Sequence, residues 1–432
     1  MENNQYKINK RLYYEIKQVK NLLNNLNKSN VSKLRFDEYN LGKEEAYYKN
    51  NIFEFNEVLD EEEQKAIATF VYSAVGDALG VHTEFEKYKD KKLKIENIND
   101  LISFYEKKPG KRCELGEFSD DTAMALCLAD SLLFNDEFDP IDLRIRFLLW
   151  WYNGYNNCRN NGIDNRSFGL GGNIHESFQE FIGKNFESEY FEGIQGNQTN
   201  GNGSLMRNAS IPLLFFKDFD IKNKYQKCME WAKNQSRTTH SGEEAYDCCV
   251  VLSFLIILNI KNSSSRKQVN NKKLLDDNME LLSEQNDLKF CYPVKKLIKS
   301  EKEDKDTFEK NNYYVKEFNK SVDDRDWNWK SDYFEYSKLR REKFPGYIGS
   351  YCMDALSMAL HIVYHSESAT EAILKAVKLG GDADTVACIV GQLSGSIWGY
   401  EKELLKFYED KISKNDNYKC ARIAHLLYNK TN

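Results

Sequence analysis

The stretch GGDADTVACIVGQLSGSIWG, residues 380–399, joins an acidic entrance to a long run of small and apolar residues. Asp382 and Asp384 come first, and the apolar residues behind them recur at helical spacing. Small side chains at Gly391 and Gly395 would let a second helix approach closely. The stretch therefore predicts a buried helix whose first turn carries two carboxylates.

The same kind of segment recurs along the chain. DEEEQKAIATFVYSAVGDALG starts at residue 60, FSDDTAMALCLADSLL at residue 118 and GEEAYDCCVVLSFLIILNI at residue 242. Apolar residues return every three or four positions in most of these segments, and no stretch keeps a strand-like alternation. Only five prolines occur in 432 residues, which also favours helices. We predict an all-α fold, a compact orthogonal helical bundle.

Composition narrows the class of protein. The net charge is −6 and there is no basic block, so we expect no nucleic-acid partner. No uninterrupted apolar stretch is long enough to span a bilayer, so we expect no membrane partner. The ten cysteines are scattered without CxxC pairs and read as reduced thiols. We predict a cytoplasmic monomer, with access to the nucleus left open.

Polar segments divide the chain. Residues 1–58 are rich in Asn, Lys and Glu and predict a polar N-terminal extension. Residues 59–432 form the predicted helical domain, interrupted at about 261–343 by a polar, low-complexity insertion. Tryptophans and tyrosines in the second half of the insertion predict that this half contacts the body of the domain.

Two oxygen-rich clusters carry the chemistry. They contribute Ser119, Asp120 and Asp121 from SDDT, and Asp382, Asp384 and Thr385 from DADT. Hard carboxylate and hydroxyl oxygens suit Mg²⁺ or Mn²⁺ rather than zinc. Four carboxylates and two hydroxyls suffice for two ions that share a bridging carboxylate. Each cluster could also be an ordinary helix N-cap, but their pairing favours metal.

Three further features are weaker. GNGSLMR, residues 201–207, exposes backbone N–H groups that can hold a phosphate or a ribose, or is simply a turn. Glu84 follows GDALG in a predicted loop, where a carboxylate can act as a base or be merely solvated. His240 lies at a helix start, where it can contact substrate or cap the helix.

GDALG with Glu84, SDDT, GNGSLMR, THS and GGDADT, in this order, resemble the ADP-ribosylglycohydrolase family. The resemblance covers roughly residues 60–259 and 345–400. It implies an all-α orthogonal bundle around two Mg²⁺ or Mn²⁺ ions, with Asp384 as the bridging ligand. It also implies that Glu84 lies on a mobile flap and that Glu84, Asp120 and Asp121 are catalytic. The substrate-binding residues implied are Asp77, Thr199, Asn200, Gly201, Asn202, Gly203, Ser204, Met206, Arg207 and His240.

The activity implied is hydrolysis of the bond between C1″ of ADP-ribose and an acceptor, either a protein side chain or a small conjugate. Ser204 and Leu205 replace two small residues that are common in the family, which predicts a reshaped pocket. Two other functions stay open on the sequence. One is a binuclear metal phosphohydrolase that acts on nucleotides, and the other is a non-catalytic, crystallin-like protein that binds ADP-ribose.

Overall fold

The structure is a computed structural model that describes residues 59–90, 93–107, 113–135, 137–158, 167–193, 199–222, 225–262, 269–310 and 321–430. The predicted extension, residues 1–58, lies outside these ranges. Within them every regular element is a helix, and the β pairings are two isolated bridges, Gly201 with Tyr351 and Lys302 with Asp326. The all-α prediction is confirmed.

The helices, numbered in chain order, are α1 (Glu61–Gly80), α2 (Ile98–Lys107), α3 (Asp120–Phe134), α4 (Pro140–Asn153), α5 (Gly172–Gly183), α6 (Ser210–Phe215), α7 (Gln226–Arg237), α8 (Glu243–Asn262), α9 (Asn271–Ser283), α10 (Tyr292–Lys299), α11 (Lys305–Lys310), α12 (Lys338–Lys343), α13 (Cys352–Tyr364), α14 (Ala369–Val377), α15 (Ala383–Trp398), α16 (Lys402–Phe407), α17 (Ser413–Asp416) and α18 (Lys419–Asn429). A 3₁₀ turn lies at Val322–Asp324 and a π turn at Tyr408–Ile412. None of these helices is long and apolar enough to cross a membrane.

Helices α1 and α15 form the centre of the fold, and nearly every residue of both is buried. Their backbones touch at glycines. A Cβ at Gly76 would lie 2.1 Å from the carbonyl oxygen of Ala387, and one at Gly391 would lie 2.0 Å from that of Tyr72. Real Cβ atoms do not approach backbone so closely, so only glycine allows this packing. The close helix contact predicted from the small residues is confirmed.

Local sequence explains where the central helices begin. Asp60 caps α1, since its Oδ1 accepts a hydrogen bond from the Glu63 N–H at 2.8 Å, and three glutamates fill the first turn. Ser119 occupies the N-cap position of α3. The start of α3 lies at the C-terminal end of α1, where the Ser119 N–H donates to Asp77 at 2.9 Å. The start of α15 lies at the same end, since Gly80 packs directly against the Asp384 backbone.

The described part of the insertion is folded onto the domain. Trp327 and Trp329 are fully buried, and the Trp329 indole N–H donates to the carbonyl of Leu297 at 2.8 Å. Arg325 is buried between Glu244 of α8, at 2.6 Å, and Glu303, at 2.7 Å. The predicted contact between the second half of the insertion and the body is therefore present.

Candidate active site

A cavity of about 750 Å³ opens where the start of α3, the start of α15 and three loops meet. The loops carry Glu84, the glycines at 169–172 and the glycines at 201–203. Asp120, Asp382, Asp384 and Thr385 belong to its wall. Segments far apart in the sequence thus converge on one pocket.

Asp77 lies beneath this wall, on the last turns of α1, and is completely buried. Its carboxylate accepts hydrogen bonds from the Ser119 N–H at 2.9 Å, from the Thr122 N–H at 3.0 Å and from the Thr122 hydroxyl at 2.6 Å. It therefore ties α1 to the first turn of α3. The sequence had assigned Asp77 to substrate binding, whereas its contacts here are with the acidic cluster and its scaffold.

Two groups of carboxylates lie close enough to hold cations. Oxygens of Asp77, Asp121 and Asp384 all lie within 4.8 Å of one another, and so do oxygens of Glu84, Asp382 and Asp384. Asp384 belongs to both groups, as expected of a bridging ligand. Asp121 Oδ1 is buried and has no hydrogen-bond partner among the described residues. An unpartnered buried carboxylate oxygen of this kind suits a cation ligand.

Burial and mutual repulsion act on these acids together. Burial raises the pKa of Asp121 well above its ordinary value, and the neighbouring Asp77 and Asp120 raise it further. The pKa of Asp384 is raised in the same way, by burial and then by Glu84 and Asp121. A divalent cation would offset this repulsion between the carboxylates, so the cluster could hold one.

Hydroxyl and amide groups orient the acids. The Ser119 hydroxyl donates to Asp121 Oδ2 at 2.8 Å. The Thr385 N–H donates to Asp384 Oδ1 at 2.9 Å. The Asn202 side-chain amide donates to Asp382 Oδ2 at 3.0 Å and so joins the glycine loop to the acidic cluster.

Glu84 lies on a short segment that follows α1, and it is half-buried at the cavity. The next residue, Phe85, has φ +66°, an uncommon conformation for a bulky side chain, and its N–H donates to the carbonyl of Gly381 at 2.8 Å. The segment is thus held against the Gly380–Gly381 turn that leads into Asp382. Farther along it, Lys89 pairs with Glu335 of the insertion at 2.5 Å.

The predicted substrate-binding residues divide into two sets. Gly201, Asn202, Gly203, Met206 and His240 line the cavity. The others lie behind the lining and make hydrogen bonds to protein groups. Their partners are Ser241 for Thr199, the Ala245 N–H for the Asn200 side chain, Ser236 for Ser204, and Gln235 for Arg207. Their direct contact with substrate stays a prediction.

A family model described as ADP-ribosylglycohydrolase matches residues 59–426. The chain belongs to this family. It is 26% identical over 365 residues to ADP-ribosylarginine hydrolase Tri1 of Serratia proteamaculans, covering 84% of this chain and 79% of that protein. It is 24% identical to ADP-ribosylhydrolase ARH3 of Gallus gallus, over 82% and 90% of the two chains.

The fold agrees with this family. A solved structure titled "ADP-ribosylglycohydrolase-related protein complex" superimposes with a TM-score of 0.57 at 22% identity, over 86% of this chain and 99% of that chain. The family resemblance and the prediction of a glycohydrolase enzyme are confirmed. Relatives are named as ADP-ribosyl hydrolases, so the removal of ADP-ribose from conjugates is the supported activity.

Part of the wall of this glycohydrolase was missed in the sequence. The loop SFGLGG, residues 167–172, lines the cavity beside Asp120, and a Cβ at Gly169 would lie 2.0 Å from Asp120 Oδ1. Its glycines directly before α5 were the available signal. Tyr347 and Ser350 also line the cavity. No motif marks these two residues, because they reach the site only through folding.

Proposed function

We propose that this chain hydrolyses the glycosidic bond between C1″ of ADP-ribose and an acceptor side chain, with two Mg²⁺ or Mn²⁺ ions. The observation that supports it most is the pair of carboxylate groups that share Asp384 beside a cavity of nucleotide size. Asp77, Asp121 and Asp384 would hold one ion, and Asp382 and Asp384 the other, with Glu84 beside the second ion. Ser119, Asp120 and Thr385 would complete or orient these ligands.

The donor set fits hard divalent cations, because it offers carboxylate and hydroxyl oxygens and no sulfur or imidazole. When bound, such ions supply positive charge that holds ribose hydroxyls and makes a nearby water more acidic. The protein's own groups would do the rest. The 201–203 loop would hold the diphosphate and distal ribose through its backbone N–H groups.

Glu84 is the best-placed group to accept a proton from the attacking water. It lies on the cavity wall, whereas Asp77 and Asp121 do not line the cavity. Asp120, which the family resemblance implies to be catalytic, lines the wall as well. General-base assistance contributes about 10²–10⁴-fold in rate.

The direct test is to incubate the protein with ADP-ribosylated peptides and measure the products with and without a chelator. We expect free ADP-ribose, dependent on Mg²⁺ or Mn²⁺. Release of AMP would point instead to a phosphohydrolase, and tight binding of ADP-ribose without turnover to a non-catalytic protein.

Glu84→Gln should lose about 10²–10⁴-fold in kcat while metal still raises its Tm. Glu86→Gln is the matched control, since Glu86 lies in the same segment but not on the cavity wall.

For the acceptor we propose a guanidinium, that is, an ADP-ribosylated arginine. Phe85 and Tyr347 line the cavity beside Glu84, are 46% and 62% exposed, and have ring centroids 5.2 Å apart. Guanidinium groups stack on aromatic faces and are attracted by acids. The Serratia relative, named for ADP-ribosylarginine, supports the same choice.

Tyr347→Leu tests this acceptor. We expect kcat/KM for an arginine-linked conjugate to fall about 2–5-fold, in line with a cation–π contact of about 0.5–1 kcal/mol, and kcat/KM for a serine-linked conjugate to stay unchanged. Tyr333→Leu is the control, because Tyr333 is 92% exposed and does not line this cavity. Equal losses on both conjugates would contradict the guanidinium assignment.

The monomeric state and the cytoplasmic location stay predictions.

A further inference from the structure

The imidazole of His240 forms part of the cavity wall and is 1% exposed. One edge of the ring lies against the glycine loop, since a Cβ at Gly201 would be 3.2 Å from Nε2 and one at Gly203 would be 3.2 Å from Cε1. A side chain at either position would crowd this edge of the ring. The glycines therefore leave room beside the imidazole, and Nε2 is the nitrogen on that edge.

The other ring nitrogen is bound to the protein. Nδ1 lies 2.8 Å from the hydroxyl Oγ1 of Thr239. The same Oγ1 accepts a hydrogen bond from Nη2 of Arg207 at 2.8 Å. Arg207 is fully buried, and its position is set by further hydrogen bonds from Nε to the side-chain oxygen of Gln235, at 2.9 Å, and from Nη1 to the carbonyl of Gly203, at 3.2 Å.

The numbers of donors and acceptors determine which group donates in each hydrogen bond between Arg207, Thr239 and His240. A guanidinium only donates, so the Thr239 oxygen must accept from Arg207. Thr239 is 1% exposed, and among the described residues its hydroxyl touches only Arg207 and His240. Its proton therefore goes to Nδ1. The reverse arrangement, with the proton on Nδ1, would leave the hydroxyl proton of Thr239 buried without an acceptor, which is unfavourable.

We propose that Arg207 and Thr239 are positioning residues that hold His240 as its Nε2–H tautomer, so that it offers a neutral hydrogen-bond donor to an oxygen of the bound ADP-ribosyl group. This inference rests on the proposed function for the identity of the ligand, while the tautomer itself rests on the contacts alone. It gives Arg207, predicted to bind substrate directly, an indirect role through Thr239.

The charge state of His240 agrees with a neutral donor. Burial disfavours the imidazolium and the Arg207 guanidinium repels it, which lowers the pKa of His240 to about 3. A neutral ring whose Nδ1 accepts a hydrogen bond carries its single proton on Nε2. An Nε2–H group donates to an acceptor oxygen and has no lone pair with which to bind a cation.

The chain offers matched variants for a test. Thr239→Val keeps the shape of the side chain and removes the hydroxyl, whereas Thr239→Ser keeps the hydroxyl. Thr238→Val is the control, because the Thr238 hydroxyl contacts Arg207 at 3.3 Å and the Gln235 carbonyl at 2.7 Å but makes no contact with His240. ¹⁵N NMR of histidine-labelled protein reads the tautomer directly, with His240→Gln used to assign its signals.

We expect the Nε2–H tautomer in the wild type, in Thr239→Ser and in Thr238→Val, and Nδ1–H or a mixture in Thr239→Val. Adding ADP-ribose should shift the Nε2 signal of the wild type. KM for the ADP-ribosyl conjugate should rise about 5–10-fold in Thr239→Val with kcat little changed, as for the loss of one hydrogen bond, and Thr239→Ser should restore it.

An Nδ1–H signal in the wild type would overturn the proposed tautomer of His240. The proposal would also be overturned by an unchanged KM in a folded Thr239→Val, or by a signal of His240 that ADP-ribose does not move. If Thr239→Val does not fold, the wild-type and Thr239→Ser spectra still decide the tautomer. If the wild type hydrolyses no conjugate, the proposed function is wrong. The NMR measurement of the His240 tautomer still tests the role of Arg207 and Thr239, because it does not depend on activity.

Discussion

Replacing Gly80 with alanine tests whether the contact between α1 and α15 sets the geometry of the acidic site. Gly80 is the last residue of α1, and a Cβ there would lie 2.4 Å from the Cα of Asp384 and 2.7 Å from the carbonyl oxygen of Ala383. Ordinary carbon–carbon contacts are about 3.5–4.0 Å. The start of α15 would therefore have to move by roughly 1 Å, because the atoms it meets belong to backbone and cannot rotate away.

That shift has two measurable consequences. Overpacking of this kind costs about 1–3 kcal/mol of the free energy of unfolding. A displacement of about 1 Å also separates Asp384 from Asp77 and Asp121, and a misplacement of that size can cost about 10²-fold in rate. We therefore expect Gly80→Ala to lower Tm, to weaken the rise in Tm caused by Mg²⁺ or Mn²⁺, and to reduce kcat about 10²-fold.

Thermal unfolding followed by circular dichroism, with and without metal, measures the first two effects, and release of ADP-ribose measures the third. Gly183→Ala is the matched control, since Gly183 also ends a helix and a Cβ there would meet nothing within 4 Å. It should change the free energy of unfolding by less than about 0.5 kcal/mol. A Gly80→Ala protein with the Tm and the metal response of the wild type would refute the reasoning that this contact positions Asp384.

Three more predictions follow from individual contacts. Asp384→Asn should raise the Tm of the metal-free protein, because it removes a buried charge whose pKa is raised by burial and by its acidic neighbours, and it should abolish the rise of Tm with metal; a normal metal response would exclude Asp384 as a shared ligand. Lys89→Met, which breaks the ion pair with Glu335, should speed hydrogen exchange of the Glu84 segment, whereas Lys302→Met, which breaks a comparable exposed pair within the insertion, should leave that exchange unchanged. Burial raises the pKa of Asp247 to about 6, so the protonated carboxyl stabilises the fold fully below about pH 4, and this stabilisation is lost as the pH rises through 6. Near pH 8 the free energy of unfolding of Asp247→Asn should therefore exceed that of the wild type by about 1–3 kcal/mol. Free energies of unfolding that vary with pH in the same way for both proteins would contradict this.

Much of this protein is determined by local sequence. Apolar residues at helical spacing determined the all-α class, since a helix needs only one continuous apolar face to be recognised. The capping pattern of SDDT and the glycines of α15 are also local, so the acidic helix starts and the close helix packing were predictable. The family resemblance, which the paired acidic motifs carry, implied Asp384 as the bridging ligand, and Asp384 belongs to both groups of neighbouring acids.

Only the tertiary structure decided how these parts combine. Asp77 lies 42 residues before Ser119 in the chain, yet it holds the first turn of α3, since burial makes its carboxylate seek the N–H groups there. The aromatic wall at Phe85 and Tyr347 and the contact of the insertion with the Glu84 segment join residues with no common motif. The direction of the hydrogen bonds from Arg207 to His240 depends on which groups are buried together. Sequence determines which residues can do chemistry here, and packing determines which of them face the cavity and which hold the others in place.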